Sequence, residues 1–439
     1  MNVLLSAYAC NPRFGGEDGF GFNWTWQTAR QGHRVWCITN PSGRAGIEEF
    51  MARHGQELNP GQLQFLFVDV PAWVQFLHRW QFGVYLHYGV WQYRAWRAAR
   101  QLSQSVEFDY VHHATYGSLQ MGSWMWRLGK PLVFGPVGGG QRAPAAFRRF
   151  IPDWFKSETM RNVIGWLLVT FDPNVRQTLR HASVVLATNS ETATLARRLG
   201  ARRVELFLDS GLPEDFFPPA YPPRPATPEL RLLWLGRLFP RKGLYLILEA
   251  LSQVDPRIPF HLTIIGDGPL RDSLPAQIAR YGLQNRVTWR GAVPWQQVRA
   301  AYQTHDAFLF GSLRDSFASQ FLEAMATGLP IITLDHQGAH DFIPATAACK
   351  VPVTTPEATA QALARAVEHY YRQPAERVAA GQAGFAFAAT HTWALRARRL
   401  QALLRRILPQ PAEPAVAAPA TTRQSPVAQA WPSLPTYPR

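Results

Sequence analysis

The stretch Leu313–Leu334, L-R-D-S-F-A-S-Q-F-L-E-A-M-A-T-G-L-P-I-I-T-L, decides the reading of the chain. Arg314, Asp315 and Ser316 are residue types of turns and helix N-caps. Phe321, Leu322 and Met325 follow at helical spacing, Gly328 reads as a C-cap, and Pro330 leads into the β-branched run Ile331–Thr333. The stretch is therefore a loop, a short helix starting near Ser316 to Ser319, and a strand. Asp315 and Glu323 stand eight positions apart. At ~1.5 Å per helical residue that is roughly 12 Å, beyond the ~5–9.5 Å of a glycoside-hydrolase carboxylate pair. Such spacing suits gripping two ends of one long ligand, with an anion between them on the free N–H groups of the helix start. A nucleotide-sugar has that shape; a capping aspartate beside a surface glutamate would leave the same letters.

Composition sets bounds around this core. At 439 residues, 47% hydrophobic and 17% charged, the chain suits two globular domains. A net charge of +15 points to anionic partners. Only Lys130, Lys156, Lys242 and Lys350 are lysines, and the arginines are scattered, so a nucleic-acid partner is not expected. Cys10, Cys37 and Cys349 lie far apart in apolar runs and read as buried thiols of a reducing, cytoplasmic compartment. Met1 runs straight into the strand Val3–Leu5, so no signal peptide is expected. No run approaches ~20 apolar residues, so no spanning helix is expected.

Outward from Leu313 the pattern is strand, loop and helix in alternation. Val3–Ala9, a glycine loop, a helix through Trp24 and Ala29, and the strand Val35–Thr39 make a doubly wound opening. Its Gly16-x-x-Gly19-x-Gly21 is not the dinucleotide fingerprint, which disfavours a nicotinamide cofactor; Gly15 and Gly16 suit either a tight turn or close approach of a ligand. Trp73–Trp96 is dense in aromatics, among them Trp73, Phe76, Trp80, Phe82 and Trp91, with Arg79, Arg94, Arg97 and Arg100 interleaved. Core packing, an acceptor groove and contact with an anionic membrane surface all remain open for it. His112 and His113 end a strand where a ligand crevice opens, or are structural, and Gly138–Gly140 ends another. Ala143–Phe171 is aromatic and basic and fits no element clearly. The prolines of Leu212–Pro228 mark a linker, and a second α/β run follows.

That run opens on G-R-L-F-P-R-K-G at Gly236–Gly243, where Arg237 and Lys242 flank a proline turn and can both address one anion. I-I-G-D-G-P-L then puts Gly266 and Gly268 at the next strand end, where a base can lie against bare backbone. Taken together with carboxylate-x7-E-A-M-A-x-G-L-P, these motifs resemble the donor domain of family-4 retaining glycosyltransferases of the twin-Rossmann GT-B class. S-A-Y-A-C-x-P, G-H-x-V, H-H-x-T and G-P-V-G-G-G resemble the members that build bacterial exopolysaccharide, and the likeness spans residues 1 to about 400.

The resemblance implies an α/β fold of two doubly wound Rossmann-like domains facing across a cleft. An acceptor-side domain is expected at 1–212, the linker at 213–229, and a donor domain at 230–390. A helix at 391–408 is expected to pack back toward the first domain, with a disordered tail at 409–439. It implies that Arg237 and Lys242 hold the donor diphosphate and stabilise its departure, and that His113 is the catalytic histidine of the first domain. Gly16, Gly236, Gly266 and Gly268 would line the donor site. Asp315 and the backbone at Phe317, Ala318 and Ser319 would meet the sugar, and Glu323 the ribose. Asp315 and Ala318 depart from the family's usual glutamate and glycine, which bears on sugar identity. The implied reaction is hexose transfer from a nucleoside-diphosphate sugar to a glycan or lipid-linked acceptor, with no metal or other cofactor; His336, His340, Asp335 and Asp341 lie in a loop and are not read as metal ligands. An epimerase on the same fold and a non-catalytic binder of anionic polymers are the competing readings.

Overall fold

Thirteen strands pair into two separate, wholly parallel sheets in the computed structural model, which describes residues 1–77, 83–224 and 227–408. The readings made at Arg79, Trp80 and Phe82 and for the tail at 409–439 lie outside the described residues. In the first sheet the strands are β1 (Asn2–Ala7), β2 (Arg34–Thr39), β3 (Leu63–Phe67), β4 (Tyr110–Thr115), β5 (Leu132–Val137), β6 (Ala182–Ala187) and β7 (Val204–Leu206), in the order β3-β2-β1-β4-β5-β6-β7. The second runs β10-β9-β8-β11-β12-β13, from β8 (Leu230–Leu235), β9 (Phe260–Ile265), β10 (Val287–Trp289), β11 (Ala307–Phe310), β12 (Ile331–Asp335) and β13 (Ala348–Pro352). Each order reverses once, between β1 and β4 and between β8 and β11, which makes one switch point per sheet.

The strands form where the sequence offers β-branched and leucine-rich runs that bury on both faces. Val3, Leu4 and Leu5 are wholly inaccessible, as are Leu232, Leu233 and Trp234. Each sheet is covered by helices on both sides. One of these is the C-terminal helix Trp393–Ile407, which lies against the first sheet rather than the second. Its Trp393 ring meets Trp24 edge-on at 5.4 Å, and Gln401 donates to the Tyr110 hydroxyl at 3.0 Å.

Ala143–Phe171, which the sequence left unplaced, becomes a 3-10 turn (Ala145–Phe150) and a π-turn (Phe155–Thr159) running into the helix Met160–Phe171. Phe147 and Phe150, 0% and 2% exposed, sit in the core of the second sheet although the chain on either side belongs to the first. The two layers thus share a plug, and Met1–Leu408 forms one continuous unit.

The deciding helix is Ser319–Ala326, with Ala318 as its N-cap and no side-chain cap bond, because Asp315 and Ser316 are engaged elsewhere. The helix after the Gly266–Gly268 loop spans Leu274–Arg280. The edge strands β7 and β13 and the helix Pro374–Ala389 were not anticipated.

Buried charge in the first lobe carries a pH consequence. Asp209 Oδ1 is buried without a hydrogen-bond partner. Burial above all, then the charges of Glu17 and Asp315, push its carboxyl up to about 7 against the pull of Arg396. The folded chain therefore keeps this proton through a range where the unfolded chain has released it, so stability falls as pH rises from about 4 to about 7. Asp209→Asn removes that fall, and the variant should gain roughly 1–2 kcal/mol over the parent at pH 8 and nothing near pH 4. Thermal unfolding at both pH values reads this; parallel curves would assign the carboxyl to water.

Candidate active site

At the switch point of the second sheet, the loops after β8 and β11 touch. Gly243 sits at φ 70°, and a Cβ there would lie 1.8 Å from the Gly311 carbonyl oxygen. Only glycine allows this approach. It carries Lys242, 8% exposed, onto Asp315, and the two form an ion pair. Burial pulls the Lys242 ammonium below its ordinary value while Asp315 opposes it. Burial works to raise the Asp315 carboxyl, yet Lys242 and Arg241 outweigh it and hold it below the usual carboxylate range. Each charge thus favours the ionised form of the other. Arg241 adds its Nη1 at 3.7 Å from Asp315 and donates to the Arg314 carbonyl at 2.9 Å.

The glycines at the neighbouring strand end serve a different contact first. A Cβ on Gly266 would stand 1.8 Å from the Gly236 oxygen, and one on Gly268 would meet the Leu238 backbone at 2.9 Å. The two loops are clasped backbone to backbone, with Leu238 donating to the Asp267 carbonyl at 2.9 Å. Arg237 projects from the clasp, exposed, with its guanidinium 4.6 Å from the Phe239 ring centre. No ion pair joins it to a carboxylate among the described residues. Glu323 lies little more than one turn along the helix from Ala318 and accepts the hydroxyl of the fully buried Tyr302 at 2.7 Å. Burial raises its carboxyl, with Tyr302 and Ser319 opposing.

Phe317 and Ala318 turn their side chains into the core, at 6% and 3% exposure, leaving backbone as what they can offer a ligand. The space beside Asp315, Phe317 and Ala318 is about 10 Å³, the room of one water. Gly16 opens the helix Gly16–Arg30 at φ 63°, with nothing near its Cβ position. Positive φ, not crowding, explains that glycine. Glu17 and Asp18 fill the first turn, and Glu17 accepts the Tyr116 N–H at 2.7 Å, so this helix start favours hydroxyls over a diphosphate.

His113 requires correction. Consecutive strand residues face opposite sides of a sheet, and both sides here are covered. His112 and His113 are each 1% exposed. His112 bonds the Gly135 carbonyl at 2.7 Å, while the two His113 nitrogens meet the Tyr88 hydroxyl at 3.1 Å and the Ser123 hydroxyl at 2.9 Å. Burial lowers them to about 4 and about 3, so both are neutral framework residues, and neither faces a crevice. The residues read as a loop instead end a strand (Asp335) and enter the short helix Gln337–Phe342 (His340, Asp341): His340 pairs with Asp335 at 2.8 Å, and Asp341 accepts the Ser190 N–H at 2.7 Å. No group of three or more histidine, cysteine or acidic residues gathers as metal ligands among the described residues.

The residues that sequence reasoning missed are those that cross between the lobes. Gln141 donates to the Ser316 hydroxyl at 2.9 Å, and Gln337 to the Arg142 carbonyl at 2.9 Å. Arg314 forks onto Glu158 at 2.8 and 3.0 Å. Beside that fork a cleft of about 250 Å³ remains open. Residues 156 positions apart leave no local signal; Arg241, next to Lys242, was open to view.

Residues 223–387 match the family of glycosyl transferases group 1. The matched stretch is similar to group 1 glycosyl transferases. It contains the ion pair, the glycine clasp and Glu323. Among curated relatives, a putative colanic acid biosynthesis glycosyltransferase, WcaL of Escherichia coli, is 28% identical over 44% of this chain and 49% of its own. A phosphatidylinositol N-acetylglucosaminyltransferase component from Arabidopsis thaliana is 30% identical over 37% and 36%. The chain thus spans half or less of the length of these two relatives. Over the whole fold, the crystal structure of HepE from Anabaena in complex with UDP superposes with a TM-score of 0.61 at 18% identity, covering 92% of this chain and 100% of that one. The two-sheet architecture is that of the GT-B class. No helix among the described residues is long and apolar enough to cross a membrane.

Proposed function

We propose that this chain is a retaining, metal-independent glycosyltransferase. It moves a hexose from a nucleoside-diphosphate sugar to a glycan or lipid-linked acceptor in the making of a surface polysaccharide, at the cytoplasmic face of a membrane. The observation that carries this reading is the buried Lys242–Asp315 pair, flanked by Arg241, at the switch point of the group 1 domain. HepE, of the same fold, has also been solved with UDP-glucose.

In this reading Lys242 keeps its charge in a buried place because Asp315 faces it. An arriving diphosphate takes the ammonium over, with Arg237 reaching in from the exposed side. Charge that builds on the leaving diphosphate then meets cations already in position, so little reorganisation is needed as the glycosidic bond breaks. Asp315, released from Lys242, is free to accept sugar hydroxyls. Glu323, oriented by Tyr302, offers its carboxylate to ribose.

The test is release of nucleoside diphosphate from a panel of donors, with and without acceptor glycans. Turnover that needs an acceptor supports transfer; product without one would indicate an epimerase. Within that assay Glu323→Gln keeps the acceptor for Tyr302 but loses the charge. It should raise KM for the donor about tenfold or more with kcat little changed. An unchanged KM would remove Glu323 from the donor site.

A further inference from the structure

The cleft of about 250 Å³ is built from both lobes, and its lining includes Arg241 and Arg314 but neither Lys242 nor Asp315. The group 1 domain contributes Arg241 and Arg314; the first lobe contributes Lys156, Glu158, Arg161 and Tyr85. Four cations therefore face one carboxylate. Glu158, whose side chain is 1% exposed, is spent on Arg314. Arg161 makes one weak contact, to the side-chain oxygen of Asn162 at 3.4 Å, and no ion pair joins Arg161 or Lys156 to an acid among the described residues. Burial first, then Arg314 and Arg241, hold the Arg161 guanidinium down to about 10. Arg314 is paired with Glu158 and Arg241 with Asp315, so Arg161 and Lys156 leave positive charge in the cleft for an arriving anion. Guanidinium forks match phosphate oxygens.

The surface beyond the cleft is apolar. Phe155, 66% exposed, immediately precedes Lys156, and Leu86, 53% exposed, immediately follows Tyr85. Val163, Trp166 and Leu167, on the helix that carries Arg161, are 50%, 56% and 41% exposed. A charged cleft with an apolar apron on the same helix has the polarity of one kind of ligand: a phosphate-bearing head on a hydrocarbon chain.

We infer that this cleft, lined by Arg161, Arg241, Arg314 and Lys156, binds the phosphate or diphosphate of a lipid-borne acceptor, whose chain lies over Phe155, Val163, Trp166 and Leu167. The inference rests on the transferase reading and narrows it to the second substrate. The donor grip runs from Glu323 to Lys242 within the group 1 domain, whereas this cleft needs both lobes. Acceptor and donor phosphates would be kept apart by the Arg241 and Arg314 side chains.

The experiment compares binding to neutral phosphatidylcholine vesicles doped with a polyprenyl phosphate or with phosphatidylglycerol at matched surface charge. Calorimetric binding of UDP is measured in parallel. The full chain should bind the polyprenyl phosphate vesicles about tenfold more tightly than the phosphatidylglycerol ones. Arg161→Gln should abolish that preference and leave UDP binding unchanged. Phe155→Ser with Trp166→Ser should weaken both vesicle types while inorganic diphosphate still binds, so a lipid role is read separately from the cleft. Equal binding of the two vesicle types by the parent, or a preference that survives Arg161→Gln, overturns the inference. Loss of UDP binding in Arg161→Gln also overturns it, since the cleft would then belong to the donor. Absence of UDP binding by the parent, with the vesicle preference intact, would instead count against the donor reading alone.

Discussion

Lys242→Met is expected to slow nucleoside diphosphate release by about 100- to 1,000-fold while leaving the chain folded. Methionine has nearly the length of lysine, so the 5.3 Å contact of the Lys242 side-chain end with the Phe310 ring is replaced by sulfur and methyl on the same ring. What disappears is charge. Asp315 then retains Arg241, 3.7 Å away, and the Ser312 hydroxyl at 3.4 Å, and its carboxyl should rise toward the ordinary range. The loss should fall mainly on kcat, because a leaving diphosphate carries more charge in the transition state than in the bound donor. Asp315→Asn separates the two partners. It frees Lys242 without removing it, and should lower activity less than Lys242→Met does. Full turnover in Lys242→Met would end the proposed role of the pair; a collapse in thermal stability matching the loss of rate would reduce it to a structural one.

The second large effect is on stability. Arg314→Met should cost about 3–5 kcal/mol, because it strands Glu158 as an unpaired buried charge. The double variant with Glu158→Gln should recover most of that loss. A cycle of the two substitutions isolates the coupling, since the pair makes a direct two-pronged contact. Denaturant unfolding of the parent, both single variants and the double variant at pH 8 measures it. A single variant as stable as the parent at pH 8 would mean that water reaches Glu158.

Most of the fold could be read from the chain because its information is local. Strands buried on both faces appear as unbroken apolar runs, and glycine pairs mark where each run stops. The unread elements lack that mark. Three-residue β7 is half exposed, and β13 carries Lys350 and Pro352 at the sheet edge, with Lys350 reaching Asp335 at 3.3 Å. The helix Pro374–Ala389 is alanine-rich and shows no clean stripe. At the site, Lys242, Asp315 and Arg237 were legible as charged residues in the loops after strands, and Glu323 as an acid on the helix that follows. Their pairing was not, because it depends on Gly243 letting two distant loops touch. The histidines misled for a related reason: one letter string serves a strand end that opens to solvent and one roofed by Tyr88 and Ser123.

The aromatic plug at Phe147 and Phe150 governs how this molecule can be taken apart. A fragment beginning at the proline-rich linker would carry an empty socket in its own interior. The complementary fragment would present two phenyl rings to water. Cutting at the apparent joint between the sheets therefore yields two sticky pieces rather than two independent ones. Any swing that widens the cleft has to carry residues 143–151 along with the second sheet, bending instead through Gly138–Gly140 and the short run past Ile151.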